Sequence, residues 1–297
     1  MMMEGRLPSG RGIVEYLNRA ESVILASHLS AIAPPAPVDS TRKLRVGVDL
    51  GTAYLVLVVL DEDGAPVAGE WQFAQVVRDG LVVDFIGAAR LLREMKRRLE
   101  RRVGSPLTRA TTGYPPGVPP PEARAKAHVV EAAGMNCNLS IDEPTAANNV
   151  LLIREGAIVD VGGGTTGIAV IRDGQVVYTA DEATGGTHFS LVLAGALRIS
   201  FEEAEALKIT KRERPRLLPM VRPVMEKVAA IIVRHTRNWR VGSIALVGGS
   251  SAFLGMADVI QRCTGIPTFV PENPLFVTPL GIALHGQPHH QGAETIS

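Results

Sequence analysis

The sequence has little of what marks several large classes of protein. Cysteine occurs twice, at Cys137 and Cys263, and that spacing fits neither a metal site nor a disulfide framework. We therefore expect a reducing, cytoplasmic setting. No apolar run approaches the ~20 residues that a membrane-spanning helix needs. The charges near the amino terminus are scattered, unlike those of a secretory signal.

The chain also lacks an excess of charge of either sign. Thirty-one basic residues are balanced by 30 acidic ones, which gives a formal net charge of +1. We therefore expect no nucleic-acid partner, because such proteins present a basic surface. The 297 residues are 46% hydrophobic, which is enough for one large domain or two medium ones.

The first 43 residues differ from the rest in their pattern of apolar residues and prolines. Apolar residues at every third or fourth position predict an amphipathic helix over residues 11–32. Its apolar stripe consists of Ile13, Leu17, Ala20 and Ile24. The segment Pro34-Pro35-Ala36-Pro37 predicts a stiff linker after it. The helix either packs on its own domain or on a second copy, or it is an address that docks on another protein.

The remaining chain contains two copies of one supersecondary unit. Each copy has a strand ending in aspartate, a glycine turn, a second strand, an Asp-Gly hairpin and a third strand. The copies begin at Asp49 and Asp160, 14 and 13 residues before their hairpin aspartates. This duplication predicts two facing α/β halves, residues 44–156 and 157–286, followed by a flexible tail at 287–297.

Helices are predicted between and after these strands. Apolar periodicity places long helices over residues 85–103 and 217–238. A proline start and a glycine stop define a third over 121–134. Ser200 and Glu203 form the capping box of a fourth. The second half is therefore expected to be rich in helix.

Four glycine turns lie at the ends of strands or before helices. Backbone N–H groups approach phosphate closely only where side chains are absent or small. Ordinary β-turns would explain each turn alone, but not their duplication. We therefore predict a nucleotide site made of Gly51-Thr52-Ala53, Gly162-Gly163-Gly164-Thr165-Thr166, Gly185-Gly186 and Gly248-Gly249-Ser250.

Three carboxylates accompany these turns. Asp49 and Asp160 each lie one or two residues before a glycine turn, so in facing halves they would converge on one Mg²⁺, with water between. Glu143 ends a strand and precedes a proline-started helix, where it could orient an attacking water. The alternative for each is a turn or cap carboxylate. We predict that all three are catalytic.

Two glycine loops and their connection resemble a known superfamily. Residues 46–52 and 159–166 are similar to the two phosphate loops of the actin, DnaK-type chaperone and sugar-kinase proteins. Residues 142–147 resemble the segment that connects the halves in that superfamily, whose glutamate serves hydrolysis. Residues 246–250 resemble its adenosine loop. The resemblance extends from residue 44 to about residue 285.

A further likeness concerns adenosine. Residues 204–209 resemble the bacterial-actin helix that contacts adenosine, which implies that Glu205 and Lys208 bind it. Together these resemblances imply a duplicated actin-like (ribonuclease H-like) ATPase fold with an N-terminal helical extension. ATP or ADP and Mg²⁺ would occupy the cleft between the halves. They also imply a slow ATPase, or a protein that acts on a partner when nucleotide closes the cleft.

Other stretches resemble one family more closely, that of the ethanolamine-utilisation EutJ proteins. These are residues 77–80 with 84–85, 181–186, 199–205 and 275–280. The resemblance implies a chaperone-like accessory protein in the cytoplasm, in association with a bacterial microcompartment. Its partner would be an enzyme or shell protein of ethanolamine utilisation.

Three departures from the superfamily pattern bear on activity. Gly167 stands where DnaK-type proteins and actins have an acidic residue. No lysine lies between Lys43 and Lys96, so the catalytic lysine of the chaperones has no evident counterpart. The chain ends where the peptide-binding domain of a DnaK-type chaperone would begin. We therefore expect slow hydrolysis, with two alternatives: a scaffold that binds nucleotide without turnover, or a small-molecule kinase.

Overall fold

The structure is a computed structural model, and it describes residues 10–29, 43–78 and 80–285. At positions 10, 11, 28, 29, 120 and 138 the structure describes the backbone and not the side chain. The linker predicted at 34–37 and the tail predicted at 287–297 also lie outside the described residues.

The first half is built on a five-stranded sheet. Its strands are β1 (Arg45–Leu50), β2 (Tyr54–Leu60), β3 (Pro66–Phe73), β6 (Arg109–Tyr114) and β7 (Asn136–Asp142). The spatial order is β3-β2-β1-β6-β7; β1 to β3 pair antiparallel, while β6 and β7 extend the sheet parallel to β1. A small hairpin of β4 (Val77–Arg78) and β5 (Leu81–Val82) stands apart from it.

The second half repeats this topology. Its strands are β8 (Gly156–Val161), β9 (Thr166–Arg172), β10 (Gln175–Glu182), β11 (Ile244–Val247) and β12 (Thr268–Phe269). They lie in the order β10-β9-β8-β11-β12, with an antiparallel meander and two parallel strands as before. The duplication predicted from the two aspartate-glycine units is therefore confirmed.

Helices cover both sheets and fill the space between them. They are α1 (Gly10–Leu29), α2 (Phe85–Val103), α3 (Pro120–Ala132), α4 (Glu143–Leu151), α5 (Gly186–Leu197), α6 (Phe201–Ile209), α7 (Arg214–Thr236), α8 (Met256–Thr264) and α9 (Pro274–Leu284). One core joins α2 and α3 to the first sheet, and a second joins α5 to α8 to the other. A third core, between the sheets, contains α1, α4 and α9. No helix in the described part of the chain is long and apolar enough to cross a membrane.

The last helix returns to the first half. α9 packs closely on β1 and α4, and two glycines permit this approach. A Cβ at Gly281 would lie 1.7 Å from the carbonyl oxygen of Ala146, and one at Gly47 would lie 2.6 Å from that of Pro279. Backbone therefore meets backbone at both contacts, and α9 belongs to the central layer between the sheets.

The N-terminal helix is also part of that layer. Leu17, Ala20 and Ile24 are buried, as the apolar stripe predicts, and they face β3. Ile24 fills the space above Gly69, where a Cβ would come within 2.6 Å of its Cγ1. Of the two alternatives for this helix, the structure shows packing on its own domain.

This packing makes a quantitative prediction for α1. Replacing Ile24 with alanine should lower the free energy of unfolding by about 2–5 kcal/mol, because it leaves a cavity in the central core. The matched control is Val14→Ala on the same helix, where the side chain is 44% exposed and the change should stay within about 0.5 kcal/mol. Urea denaturation followed by circular dichroism measures both. Equal midpoints for the two variants would contradict the packing.

Candidate functional site

The two predicted phosphate loops meet at the bottom of the cleft. In each, the first glycine N–H donates to a carbonyl three residues on, from Gly51 to Tyr54 at 3.1 Å and from Gly162 to Thr165 at 3.0 Å. A Cβ at Gly163 would lie 2.6 Å from the Cβ of Ala53. The loops are therefore in contact, and they touch at a glycine because no larger residue fits.

The two aspartates come together beside these loops. Asp49 and Asp160 occupy equivalent places near the ends of β1 and β8, and both line the cleft. Burial, together with the negative charge of Glu143, raises the pKa of Asp49 to about 8 and that of Asp160 to about 7. The Oγ1 of Thr278 on α9 donates to Asp160 Oδ2 at 2.9 Å, which opposes the shift. Carboxylates in such surroundings favour a cation as neighbour.

Glu143 lies in the same cluster and has a partner that was not predicted from the sequence. It opens α4, whose N-cap Asp142 accepts a hydrogen bond from the backbone N–H of Thr145 at 3.0 Å. The Nζ of Lys126 lies 3.1 Å from Glu143 Oε1, and the lysine side chain is 2% exposed. The stretch from Lys43 to Lys96 contains no lysine, as noted above, but a lysine from α3 reaches the cluster instead.

The sequence does contain a signal for Lys126. It precedes Val129, Val130 and Ala133 at helical spacing, and all three are buried. A lysine on the apolar stripe of a helix must reach a polar partner or lose solvation. That pattern alone would have indicated a buried ammonium group.

The far end of the cleft holds a second charged pair. Lys208 Nζ lies 2.6 Å from Glu205 Oε2 and donates to the carbonyl oxygen of Gly186 at 3.0 Å. Ser190 Oγ donates to the same Glu205 oxygen at 2.6 Å. Burial lowers the pKa of Lys208, while the charge of Glu205 opposes that shift. Glu205 Oε1 is buried and has no hydrogen-bond partner, so it is free to accept from a ligand.

A third loop closes the cleft from the second half. Gly248 has φ of +84°, and a Cβ there would lie 2.2 Å from Asp160 Oδ1. Ser250 Oγ donates to the carbonyl oxygen of Gly162 at 2.8 Å, and Gly249 lines the cleft. The predicted adenosine loop is therefore held against the second phosphate loop.

Three of the predicted nucleotide-binding residues lie in or behind the second phosphate loop. Thr166 Oγ1 donates to the carbonyl oxygen of Thr184 at 2.5 Å, and the N–H of Gly186 donates to the carbonyl oxygen of Gly162 at 2.9 Å. A Cβ at Gly185 would clash with the carbonyls of Gly162 and Gly163. Thr166, Gly185 and Gly186 thus make their closest contacts with the protein itself, and their binding of nucleotide stays a prediction.

The remaining predicted residues surround two connected spaces. A cavity of about 570 Å³ extends from the first two loops to Glu205 and Lys208, and its walls are largely apolar. A smaller one of about 70 Å³ is lined by Asp49, Lys126, Glu143 and Asp160, together with Gly164 and Thr165. The larger volume is that of a typical small-molecule or cofactor site.

Comparison with known proteins identifies the family. The ethanolamine utilization protein EutJ of Salmonella typhimurium is 42% identical over 264 residues, which is 89% of this chain and 93% of that protein. The chain belongs to the EutJ family. The crystal structure of EutJ from Carboxydothermus hydrogenoformans agrees, with 45% identity, a TM-score of 0.85, and coverage of 92% of this chain and 99% of that one.

The wider relatives of this EutJ protein share the actin-like fold. The family model for cell division protein FtsA matches residues 157–281, and the model for MreB/Mbl protein matches residues 67–213. MreB5 of Spiroplasma citri bound to ADP is 17% identical, with a TM-score of 0.67 over 83% of this chain and 96% of that one. The predicted fold class is therefore confirmed.

Proposed function

We propose that this protein binds Mg-ATP between its halves and hydrolyses it slowly. One observation carries the proposal: a single cavity extends from two facing glycine loops to Glu205, whose buried Oε1 has no hydrogen-bond partner. The backbone N–H groups of the loops are suited to bind phosphate. Glu205 Oε1 is suited to accept a hydrogen bond from a sugar hydroxyl, and the apolar cavity walls between these two ends are suited to pack against the nucleotide base. Solved MreB5 structures with ADP and AMPPNP show that this fold can hold nucleotide.

The donor set also fits Mg²⁺. Asp49 and Asp160 are the residues that would hold the ion, through water, because Mg²⁺ keeps several waters and takes one or two carboxylates beside phosphate. When bound, the ion would neutralise charge on the phosphates. Thr278 fixes one oxygen of Asp160 by its hydrogen bond, which leaves the other carboxylate oxygen for this role.

Hydrolysis would be carried by Glu143 as the water-orienting group. Lys126 holds Glu143 Oε1, so the second carboxylate oxygen remains available to a water in the smaller cavity. This arrangement supports turnover, but we expect a rate below the enzyme median of ~10 per second, since Gly167 provides no acidic side chain near the metal position.

The first test is nucleotide binding. Mg-ATP should raise the melting temperature, because a ligand at 100 times its Kd adds about 2.7 kcal/mol to stability. Gly163→Ala should abolish this rise, since the added methyl would lie 2.6 Å from Ala53 Cβ and force the loops apart. The control is Gly195→Ala on α5, where nothing lies within 4 Å of the new methyl. An unchanged melting curve of the parent in millimolar Mg-ATP would reject the proposal.

The second test is turnover. Glu143→Gln should reduce phosphate release by about 10²–10⁴-fold, the range for a general base, while the Mg-ATP melting shift persists. Glu122→Gln on the exposed start of α3 is the control. A Glu143→Gln protein as fast as the parent would remove Glu143 from this role. A melting shift in the parent with no phosphate release at all would instead favour a scaffold without turnover.

The biological role that we propose is a chaperone-like accessory function in ethanolamine utilisation. It is supported by membership in the EutJ family, whose proteins are named for ethanolamine utilization. Cleft closure on ATP would present one surface to a partner, and opening on ADP another. We expect an enzyme or shell protein of the ethanolamine system to be retained by the ATP-loaded protein and released from the ADP-loaded one. Equal retention in both states would contradict nucleotide gating.

A further inference from the structure

The partly buried carboxylate of Asp181, in the second half, has no role in the site described above. Asp181 lies on β10, where it pairs directly with Gly167 of β9, and Gly167 in turn pairs with Asp160 of β8. Residues that are directly opposite on neighbouring strands share one face of a sheet. Asp160 and Asp181 therefore project from the same face, two strands or about 10 Å apart.

The glycine between them leaves that space open. A Cβ at Gly167 would lie 3.7 Å from Asp181 Oδ1 and 3.9 Å from the Cβ of Asp160. It would also lie 3.9 Å from Pro116 Cδ, which belongs to the first half. The space above Gly167 is therefore bounded by two carboxylate residues of one half and covered by the other half. Gly167 also lines the smaller cavity.

The surroundings of Asp181 are those of a group that needs a cation. Burial raises its pKa to about 6, and the charge of Glu143 adds to the shift. A hydrogen bond from Thr165 and the charge of Lys126 oppose it. Thr165 belongs to the second phosphate loop and lines the smaller cavity. Asp181 is thus coupled electrostatically both to the Thr165 hydroxyl of that loop and to the charges at the metal position.

The strand that carries Asp181 is held firmly from its other side. The next residue, Glu182, accepts a hydrogen bond from Nε2 of His235 at 2.8 Å and pairs with Arg234, both on α7. Tyr178 bonds Nδ1 of the same histidine at 2.7 Å. Because successive side chains of a strand point to opposite faces, Asp181 points away from α7, toward the face that carries Asp160.

We propose that Asp181 is a positioning residue of the nucleotide site, which orders Thr165 and the water around the metal from the strand next to Gly167. The proposal rests on the Mg-nucleotide function proposed above. It also explains how the site can work with a glycine at position 167, because the acidic group stands one strand away.

The test compares Asp181→Asn with Glu182→Gln, its neighbour on the opposite face. The readout is the Mg²⁺ concentration that gives half of the melting shift produced by AMPPNP, which avoids hydrolysis. Asp181→Asn should raise that concentration by about 10–100-fold, the usual effect of losing an outer partner of a metal site. Glu182→Gln should leave it unchanged. Without nucleotide, Asp181→Asn should melt at the parent temperature or above it, since it removes a buried charge.

A relocation variant separates a positioning role from a structural one. Gly167→Asp in the Asp181→Asn background should bring the Mg²⁺ requirement back toward that of the parent, because it returns a carboxylate to the same space. If Asp181→Asn fails to fold, Asp181→Ser, which keeps a hydroxyl for Thr165, takes its place. If Asp181→Asn needs no more Mg²⁺ than the parent, the positioning role of Asp181 is overturned, while the proposed nucleotide function stands. Absence of any AMPPNP shift in the parent overturns the nucleotide function, and this inference with it.

Discussion

Unbalanced negative charge between the two halves is the constraint on which the rest of the site depends. Asp49, Asp160, Asp181 and Glu143 act on one another electrostatically in a water-poor cleft. Lys126 is the one basic side chain among the described residues that line the smaller cavity there. Such an excess of like charge weakens the closed arrangement. A bound cation would relieve it, so closure and metal occupancy are linked energetically.

Much of this arrangement could be predicted from sequence because it repeats along the chain. The two aspartates and their glycine turns recur in the same order, and an antiparallel meander brings local residues together. Turn chemistry depends on few neighbours, so short motifs are sufficient to predict it. The same reasoning located Glu143, because a strand end followed by a proline-started helix is also a local signal.

What escaped prediction depends on contacts distant in sequence. Lys126 reaches Glu143 from a helix, and Asp181 reaches the site across a sheet register that no spacing reveals. The hydrogen bonds of Thr166 and Gly186 to the carbonyl oxygens of Thr184 and Gly162 likewise join residues distant in sequence. The apolar stripe of α1 could be predicted, whereas the surface that covers it could not, because periodicity defines a buried face and does not identify its partner.

The position of α9 has a mechanical consequence. It is wedged backbone to backbone against β1 and α4 of the first half, while its Thr278 bonds Asp160 of the second. The N–H of Gly248 also donates to the carbonyl oxygen of Pro274, the first residue of α9. A rotation of one half against the other would therefore either strain these bonds of α9 to the second half or turn about an axis close to the helix. In the first case, a change in the charge of Asp160 would alter the bond to Thr278 and so the energy of the rotation.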